Sequence, residues 1–346
     1  MKTLIINPGS TSTKIAIFND KDLVLEHKFD HTIDNKTSFK DRLQLINEFL
    51  KENKIEELNA VVGRGGMLPP LTSGTYLVNE KMLDDLINRP QAIHASNLGA
   101  PLAKSIADDY KVNAYIVDPV TTDEIEDKHK LTGIPEIKRY AAWHALNQKA
   151  VARNYAADIG KKYEDLNLIV AHLGGGFSFG AHKKGQVINV INALSGEGPM
   201  TPERAGAIPA QSLIELAFSG QYSKDELINK IAGSGGLFAH LKTKNLIDLE
   251  KNYPTMSQPE QNIVDEMIAG ISRAICSLIP DFEGNIIDQI LLTGGVVRWP
   301  LVVEKIKQDL TNVPIGISLY PGEKELEALR DGVLRVLRQE EVAKTY

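Results

Sequence analysis

Apolar positions along the chain fall into two alternating patterns. Short apolar runs at 3–6, 14–18, 60–63, 112–117, 166–171, 186–191, 286–292 and 313–319 predict strands. Between them, apolar residues recur at helical spacing. FKDRLQLINEFLKE (39–52) and NEKMLDDLIN (79–88), with Asn79 as its N-cap, predict amphipathic helices. HALNQKAVARNYAADIG (144–160) ends in Gly160, a fitting residue just past a helix C-terminus. EQNIVDEMIAGISRAICSLI (260–279) is apolar around much of its circumference and predicts a buried helix. EKELEALRDGVLRVLRQEE (323–341) predicts a charged amphipathic helix near the end of the chain. Strands alternating with helices imply a mixed α/β architecture.

The pattern also repeats. LIINPGSTSTKIA (4–16) and LIVAHLGGGFSFGA (168–181) share one plan: apolar strand, glycine-containing turn, then a strand with small or polar residues at alternate positions. They lie about half a chain apart, as a diverged duplication would. A third turn, ILLTGGVVRWP (290–300), puts a glycine pair directly after a buried strand. Three such turns suggest several backbone segments approaching one ligand.

In the first turn, period-two alternation puts Ser10, Ser12 and Lys14 on one face and Thr11 and Thr13 on the other. Two hydroxyls and an ammonium beside a Gly9 turn with free N–H groups make a phosphate clamp; the plain alternative is a solvated hairpin edge. No GxxxxGK[ST] occurs, so the P-loop class lacks its signature. In the second turn, Gly174, Gly175 and Gly176 have no Cβ, which would let backbone donors reach phosphate oxygens. Asp118 ends a buried strand just before Pro119, where a carboxylate suits Mg²⁺ and equally suits a turn. Arg204 sits in the stiff loop GPMTPERAGAIP, a rigid guanidinium fit for an anion. His144 and His94 stand at helix starts, where capping is the common role.

The 346 residues allow two domains, and 42% hydrophobic with 24% charged residues is an ordinary globular composition. A net charge of −6 argues against a broad nucleic-acid surface, without excluding a local basic pocket. Cys276 is the only cysteine, so an internal disulfide and a Cys-rich zinc site are excluded. Its apolar neighbours make it a core thiol. MKTLIINPGS does not have the form of a signal peptide, and no stretch reaches the roughly 18 apolar residues of a membrane span. The expectation is a cytoplasmic protein.

NPGSTSTK, GRGGMLPPLTSGTYLVNE, IHASNLGAPLA, IVDPVTTDE, WHALNQKAVAR, AHLGGGFSFGAH, LSGEGPMTPERAGAIP and LTGGVV occur in that order. Together they resemble the butyrate kinases of the acetokinase family, within the actin-like, sugar-kinase and Hsp70 ATPase superfamily. The resemblance spans nearly the whole chain. It implies two duplicated ribonuclease-H-like domains with a nucleotide cleft between them: 1–120 plus 320–346 on the acid and phosphate side, and 121–319 on the nucleotide side. It also implies a homodimer or larger assembly, ATP/ADP and Mg²⁺ as cofactors, and a short-chain fatty acid as substrate. By the same resemblance Asn7, Ser10, Ser12 and Lys14 contact phosphate, and His144 steadies the transition state. Arg204 binds the acyl carboxylate or the transferring phosphoryl group, and Asp118 lies near the metal. His172 with Gly174, Gly175 and Gly176 forms the ADP phosphate loop. Gly294, Gly295 and the Gly233–Gly236 turn, Gly235 included, lie on the adenosine side.

The chain departs from the acetate kinases at some places. Where they have HRVVHGGE, it has AVVGRGGM, so Arg64 takes a histidine's place and is expected to bind the carboxylate from there. Gly63 replaces a bulky apolar residue and is expected to deepen the acid pocket, with His94 and Trp143 as further lining. PGEKEL puts Lys324 where a metal-linked glutamate would stand, which makes Glu323 the metal candidate. Arg298 replaces a glutamate after the adenosine turn. Each extra buried methylene contributes about 0.8 kcal/mol, so butyrate over acetate gains roughly 1.6 kcal/mol, on the order of 15-fold. Alternatives are an acetate or propionate kinase, a sugar kinase, or a non-catalytic ATP-dependent sensor of the same superfamily.

Overall fold

A computed structural model of the chain describes residues 1–31 and 38–346. The chain divides into two compact units. The first comprises Met1–Asp123, Ala145–Asn147 and Lys324–Tyr346; the second comprises Glu124–His144 and Gln148–Glu323.

In the first unit, strands Lys2–Pro8 (β1), Ser12–Asn19 (β2) and Asp22–Asp30 (β3) form an antiparallel meander. Ala60–Arg64 (β4) pairs parallel with β1, and Asn113–Val117 (β6) pairs parallel with β4. Thr75–Leu77 (β5) extends the sheet beyond β6. Helices Phe39–Glu52 (α1), Glu80–Asn88 (α2) and Gly99–Tyr110 (α3) belong to this unit. Ile46 and Leu50 of α1 and Leu102, Ala103 and Ile106 of α3 share one core with Leu4, Ile6, Ile15 and Ile17 of the sheet. Local chemistry sets the ends. Ser38 and Asp41 form a capping box on α1, and the Asn79 side chain accepts from the Met82 N–H, capping α2 as its sequence predicts.

The second unit repeats the plan. Helix Ala145–Asp158 (α4) leads into it, followed by Gly160 at φ +67°, the left-handed backbone that suits glycine. Strands Asn167–Leu173 (β7), Phe177–Lys183 (β8) and Gln186–Ile191 (β9) form a second antiparallel meander. Helices Ala210–Phe218 (α5), Lys224–Ala232 (α6), Gly236–Leu241 (α7) and Leu246–Asn252 (α8) precede the long Gln258–Ser277 (α9). Gln289–Gly294 (β10) then pairs parallel with β7, and Ile317–Pro321 (β11) parallel with β10. Pro300–Asp309 (α10) lies between these last two strands in sequence. Val264, Met267, Ile268, Ile271 and Ile275 of α9 bury against Ile169, Ala171, Phe179 and Leu292.

The strand orders β3-β2-β1-β4-β6 and β9-β8-β7-β10-β11 are therefore the same topology twice. The expected α/β duplication is present. Cys276 is partly buried against the second core, and its burial raises the thiol pKa. Among the described residues, no helix is long and apolar enough to cross a membrane.

Candidate active site

Each unit places some of its candidate residues at its first hairpin. In the first unit the β1–β2 turn closes on itself, with the Gly9 N–H donating to the Ser12 carbonyl at 2.7 Å. The expected free Gly9 donor is therefore absent. Strand β2 begins only at Ser12, so the alternation argument covers Ser12 and Lys14, while Ser10 belongs to the turn. Thr13 points inward and buried, and Lys14 outward and exposed, as expected.

Arg42 of α1 is a residue that the sequence pattern did not single out. Its Nη1 donates to the Gly9 carbonyl at 3.0 Å and to Thr13 Oγ1 at 2.7 Å, pinning the turn from beneath. Burial lowers its pKa.

Glu325 was missed too. Its carboxylate accepts from Asn7 Nδ2 at 2.7 Å and pairs with Arg64 Nη1, so one acid fixes two candidate residues. The only available signal was its place at the start of the last helix, two residues after Glu323. His94 caps a short turn through its Nδ1, which accepts from the Ser96 N–H. Burial, then the charge of Arg64, lowers its pKa, so it is kept neutral.

The reading of Gly63 is corrected. A Cβ there would run into the carbonyl group of Gly99 and lie 2.9 Å from the Ala100 nitrogen. A Cβ on Gly99 would in turn meet the backbone of Arg64. Glycine at 63 lets β4 and α3 touch backbone to backbone; it opens no pocket. Trp143, the other expected lining residue, is 1% exposed and packs edge-on to His182, so its ring is not presented to a substrate.

Asp118 has φ +38°, a backbone that non-glycine residues adopt at a cost and that clusters at functional sites. Its Oδ1 accepts from Ser73 Oγ at 2.6 Å and from the Gly74 N–H at 2.8 Å. Among the described residues no group of three or more His, Cys, Asp or Glu side chains is gathered to hold a metal.

In the second unit, four candidates, His144, His172, Arg204 and Glu323, gather about the β7–β8 hairpin. The His144 and His172 rings stack with centroids 3.8 Å apart, and His172 Nε2 lies 3.1 Å from Glu323 Oε1. The triple glycine has a packing reason besides the one expected. The space of a Cβ on Gly176 is filled by the Arg204 guanidinium, whose Nε would be 2.7 Å away. That on Gly175 faces the Glu203 carboxylate at 3.2 Å, and that on Gly174 faces His172 and Glu323. The glycines thus form a seat for the arginine loop.

The loop is tied down on that seat. Thr201 Oγ1 donates to the Gly175 carbonyl at 2.8 Å and accepts from the Arg204 N–H at 3.0 Å. Arg204 also donates to the Ala193 carbonyl. Burial lowers its pKa and Glu203 acts to raise it; a guanidinium stays charged in such a setting. Gly235 packs on this loop, where a Cβ would sit 2.6 Å from the Ala205 nitrogen. Gly294, at φ +97°, lets β10 approach Leu173 of β7 closely, while a Cβ on Gly295 would meet nothing within 4 Å.

The profile of the acetokinase family matches residues 124–324. Over 354 aligned positions the chain is 45% identical to a probable butyrate kinase of Clostridium botulinum (strain Eklund 17B / Type B), covering 100% of this chain and 99% of that protein. It is equally similar, with the same coverage, to butyrate kinase 2 of Clostridium acetobutylicum. Acetate kinase from Entamoeba histolytica has a similar fold, with a TM-score of 0.81 at 18% identity, covering 98% of this chain and 100% of that one.

Proposed function

The chain belongs to the acetokinase family, and on that premise we propose that it phosphorylates a short-chain carboxylate with ATP, giving acyl phosphate and ADP reversibly. Butyrate is the acid, carried over from the names of its 45% identical relatives, with isobutyrate the branched acid of the same size. The observation that carries the chemistry is the gathering of Arg204, His144 and His172 about one glycine hairpin.

A carboxylate is already ionised at neutral pH, so no strong base is needed. The work is positioning and charge neutralisation around an in-line transfer. Arg64, oriented by Glu325, takes the acid's carboxylate. Arg204 meets the acid or the transferring phosphoryl group, and His144 donates a hydrogen bond to that group. Asn7, Ser10, Ser12 and Lys14 hold phosphate oxygens. His172 with the 174–176 hairpin holds those of ADP, and Gly235, Gly294 and Gly295 serve the adenosine side.

Mg²⁺ would arrive with the nucleotide, since this ion takes one or two carboxylates with phosphate oxygens and waters, not a protein cage. Asp118 or Glu323 would supply a carboxylate to it, and it would neutralise charge on the phosphate oxygens. The protein works in the cytoplasm as a homodimer or larger assembly. What supports assembly is the apolar face of α5, where Ile214 is 58% and Phe218 87% exposed.

Hydroxylamine trapping of acyl phosphate with Mg-ATP and acetate, propionate, butyrate, isobutyrate and isovalerate tests the reading. A signal peaking at four carbons supports it, and a peak at acetate overturns the choice of acid. Absence of hydroxamate with every acid, from protein that binds ATP, overturns the reaction.

A further inference from the structure

Behind His144 a line of polar side chains runs into the interior of the second unit, and its chemistry has a direction. Gln148 Nε2 lies 3.2 Å from the Ser178 carbonyl oxygen, which only accepts. That fixes the amide: its nitrogen faces Ser178 and its oxygen faces His182. His182 Nε2, 3.1 Å from Gln148 Oε1, must then carry the proton. The bare His182 Nδ1 accepts from the Tyr163 hydroxyl at 2.7 Å. His182 is fully buried, and burial, then the charges of Lys149 and Arg153, holds its pKa well below the ordinary value, in keeping with a neutral ring.

The line continues outward. Ser178 Oγ accepts from Gln148 Nε2 at 2.9 Å and from the His144 N–H at 3.3 Å. A hydroxyl has two acceptor positions and one hydrogen. Both acceptor positions are in use, so the hydrogen goes to His144 Nδ1, 2.7 Å away.

We propose that Ser178 and Gln148 are positioning residues that hold His144 neutral with its proton on Nε2, through the one-way chain Tyr163 to His182 to Gln148 to Ser178 to His144. A proton on Nδ1 would need a third acceptor position on Ser178 Oγ. The stacked His172 ring fixes the plane of the imidazole while the chain fixes its tautomer. The residue so prepared carries an N–H at Nε2, the kind of donor that a phosphoryl group in transit requires. The inference rests on the role given to His144 above, although the tautomer is measurable apart from that role.

Two-bond ¹H–¹⁵N correlation spectra of the full-length, uniformly ¹⁵N-labelled protein at pH 7.5 read the tautomer directly. The His144 pattern is assigned by its loss in His144→Asn. The expected pattern has a protonated Nε2 and a bare Nδ1. Gln148→Glu replaces a donor by an acceptor of the same shape. The Ser178 hydrogen then turns inward and the proton moves to Nδ1, with kcat falling about 100-fold and both KM values changing little. Ser178→Ala loses the defined pattern and a similar share of kcat, while Ser178→Thr, which keeps the hydroxyl, restores both. A wild-type Nδ1–H tautomer, or Ser178→Ala with tautomer and kcat unchanged, overturns the proposal. Full turnover in His144→Asn with the expected wild-type spectrum would instead remove the catalytic role of His144 and leave the chain standing.

Discussion

Gly63→Ala separates two accounts of the same residue. If Gly63 deepened the acid pocket, the added methyl would shorten that pocket at little cost to the fold. The structure puts the methyl against the Gly99 carbonyl group and 2.9 Å from the Ala100 nitrogen. Carbon atoms rest at about 3.5 Å or more from their neighbours, so β4 and α3 must part by on the order of 1 Å. The obstacle is backbone on both sides, and the α3 residues behind it, Leu102, Ala103 and Ile106, are all buried in the first core. Overpacking of this kind costs about 1–3 kcal/mol, and a backbone obstacle puts it at the upper end. At roughly 2–4 °C per kcal/mol for a domain of about 150 residues, the first unit should melt some 6–12 °C lower. Thermal unfolding by circular dichroism, with hydroxamate kinetics on acetate, propionate and butyrate, decides the matter. The packing account expects the large drop in Tm and one common loss of rate across the acids. An unchanged Tm, with preference shifting toward acetate by about fourfold per excluded methylene, would refute it and restore the pocket.

Arg42→Met should raise KM for ATP about tenfold and spare KM for the acid, because it loosens the first phosphate turn by removing one buried and one partly buried hydrogen bond, of which about 1.4 kcal/mol reaches nucleotide binding; steady-state kinetics in both substrates checks it. Glu325→Gln removes the ionic partner of Arg64, and KM for butyrate should rise about fivefold, the worth of roughly 1 kcal/mol for a partly exposed pair. Gly176→Ala displaces the Arg204 guanidinium from its seat and should lower kcat about 100-fold, a larger loss than that of ATP affinity by calorimetry. The depressed pKa of His182 sets a pH dependence. Above its ordinary 6.5 both folded and unfolded states are neutral there; below it the unfolded chain takes up a proton that the buried ring refuses. Stability should therefore fall as pH drops from about 6.5 toward the folded pKa, by up to about 1.4 kcal/mol per unit, and His182→Gln should flatten that part of the curve in denaturant titrations.

What was legible in the sequence follows from how each element is buried. Strands β1, β7 and β10 are buried along nearly their whole length, and their unbroken apolar runs announced them. β3 was missed because most of DLVLEHKFD is exposed at a sheet edge, and β5 because three residues carry no period. α5 and α6 bury none of their residues, so no stripe marked them out among the turns that surround them. α3 hid in GAPLAKSIADDY, whose packed face begins with glycine, alanine and proline, residues more often found in loops. Among site residues, the motif positions were visible because their side chains are unusual for their surroundings. Arg42 and Glu325 act from ordinary amphipathic helices, where an arginine and a glutamate look like solvated charges.

The two hairpins show why glycine content alone misleads. In the first, register runs from Pro8 opposite Thr13, leaving residues 9–12 without a partner across the hairpin; in the second, Leu173 opposes Phe177 and leaves only 174–176. The first turn keeps side chains on three of its four positions and is pinned from below by Arg42. The second gives up its side chains, and Glu203 and Arg204 lie in the space so released. A glycine run looks the same in sequence whether a ligand or the protein itself occupies that space. The difference lies in the loop 201–204, about 25 residues on, whose Thr201 anchors it to Gly175. Replacing Thr201 by Val keeps its shape and removes its hydrogen bonds to Gly175 and Arg204. If the glycines serve the arginine, this variant should lose turnover in the same way as Gly176→Ala; if they serve ADP directly, it should bind and turn over nucleotide as the parent does.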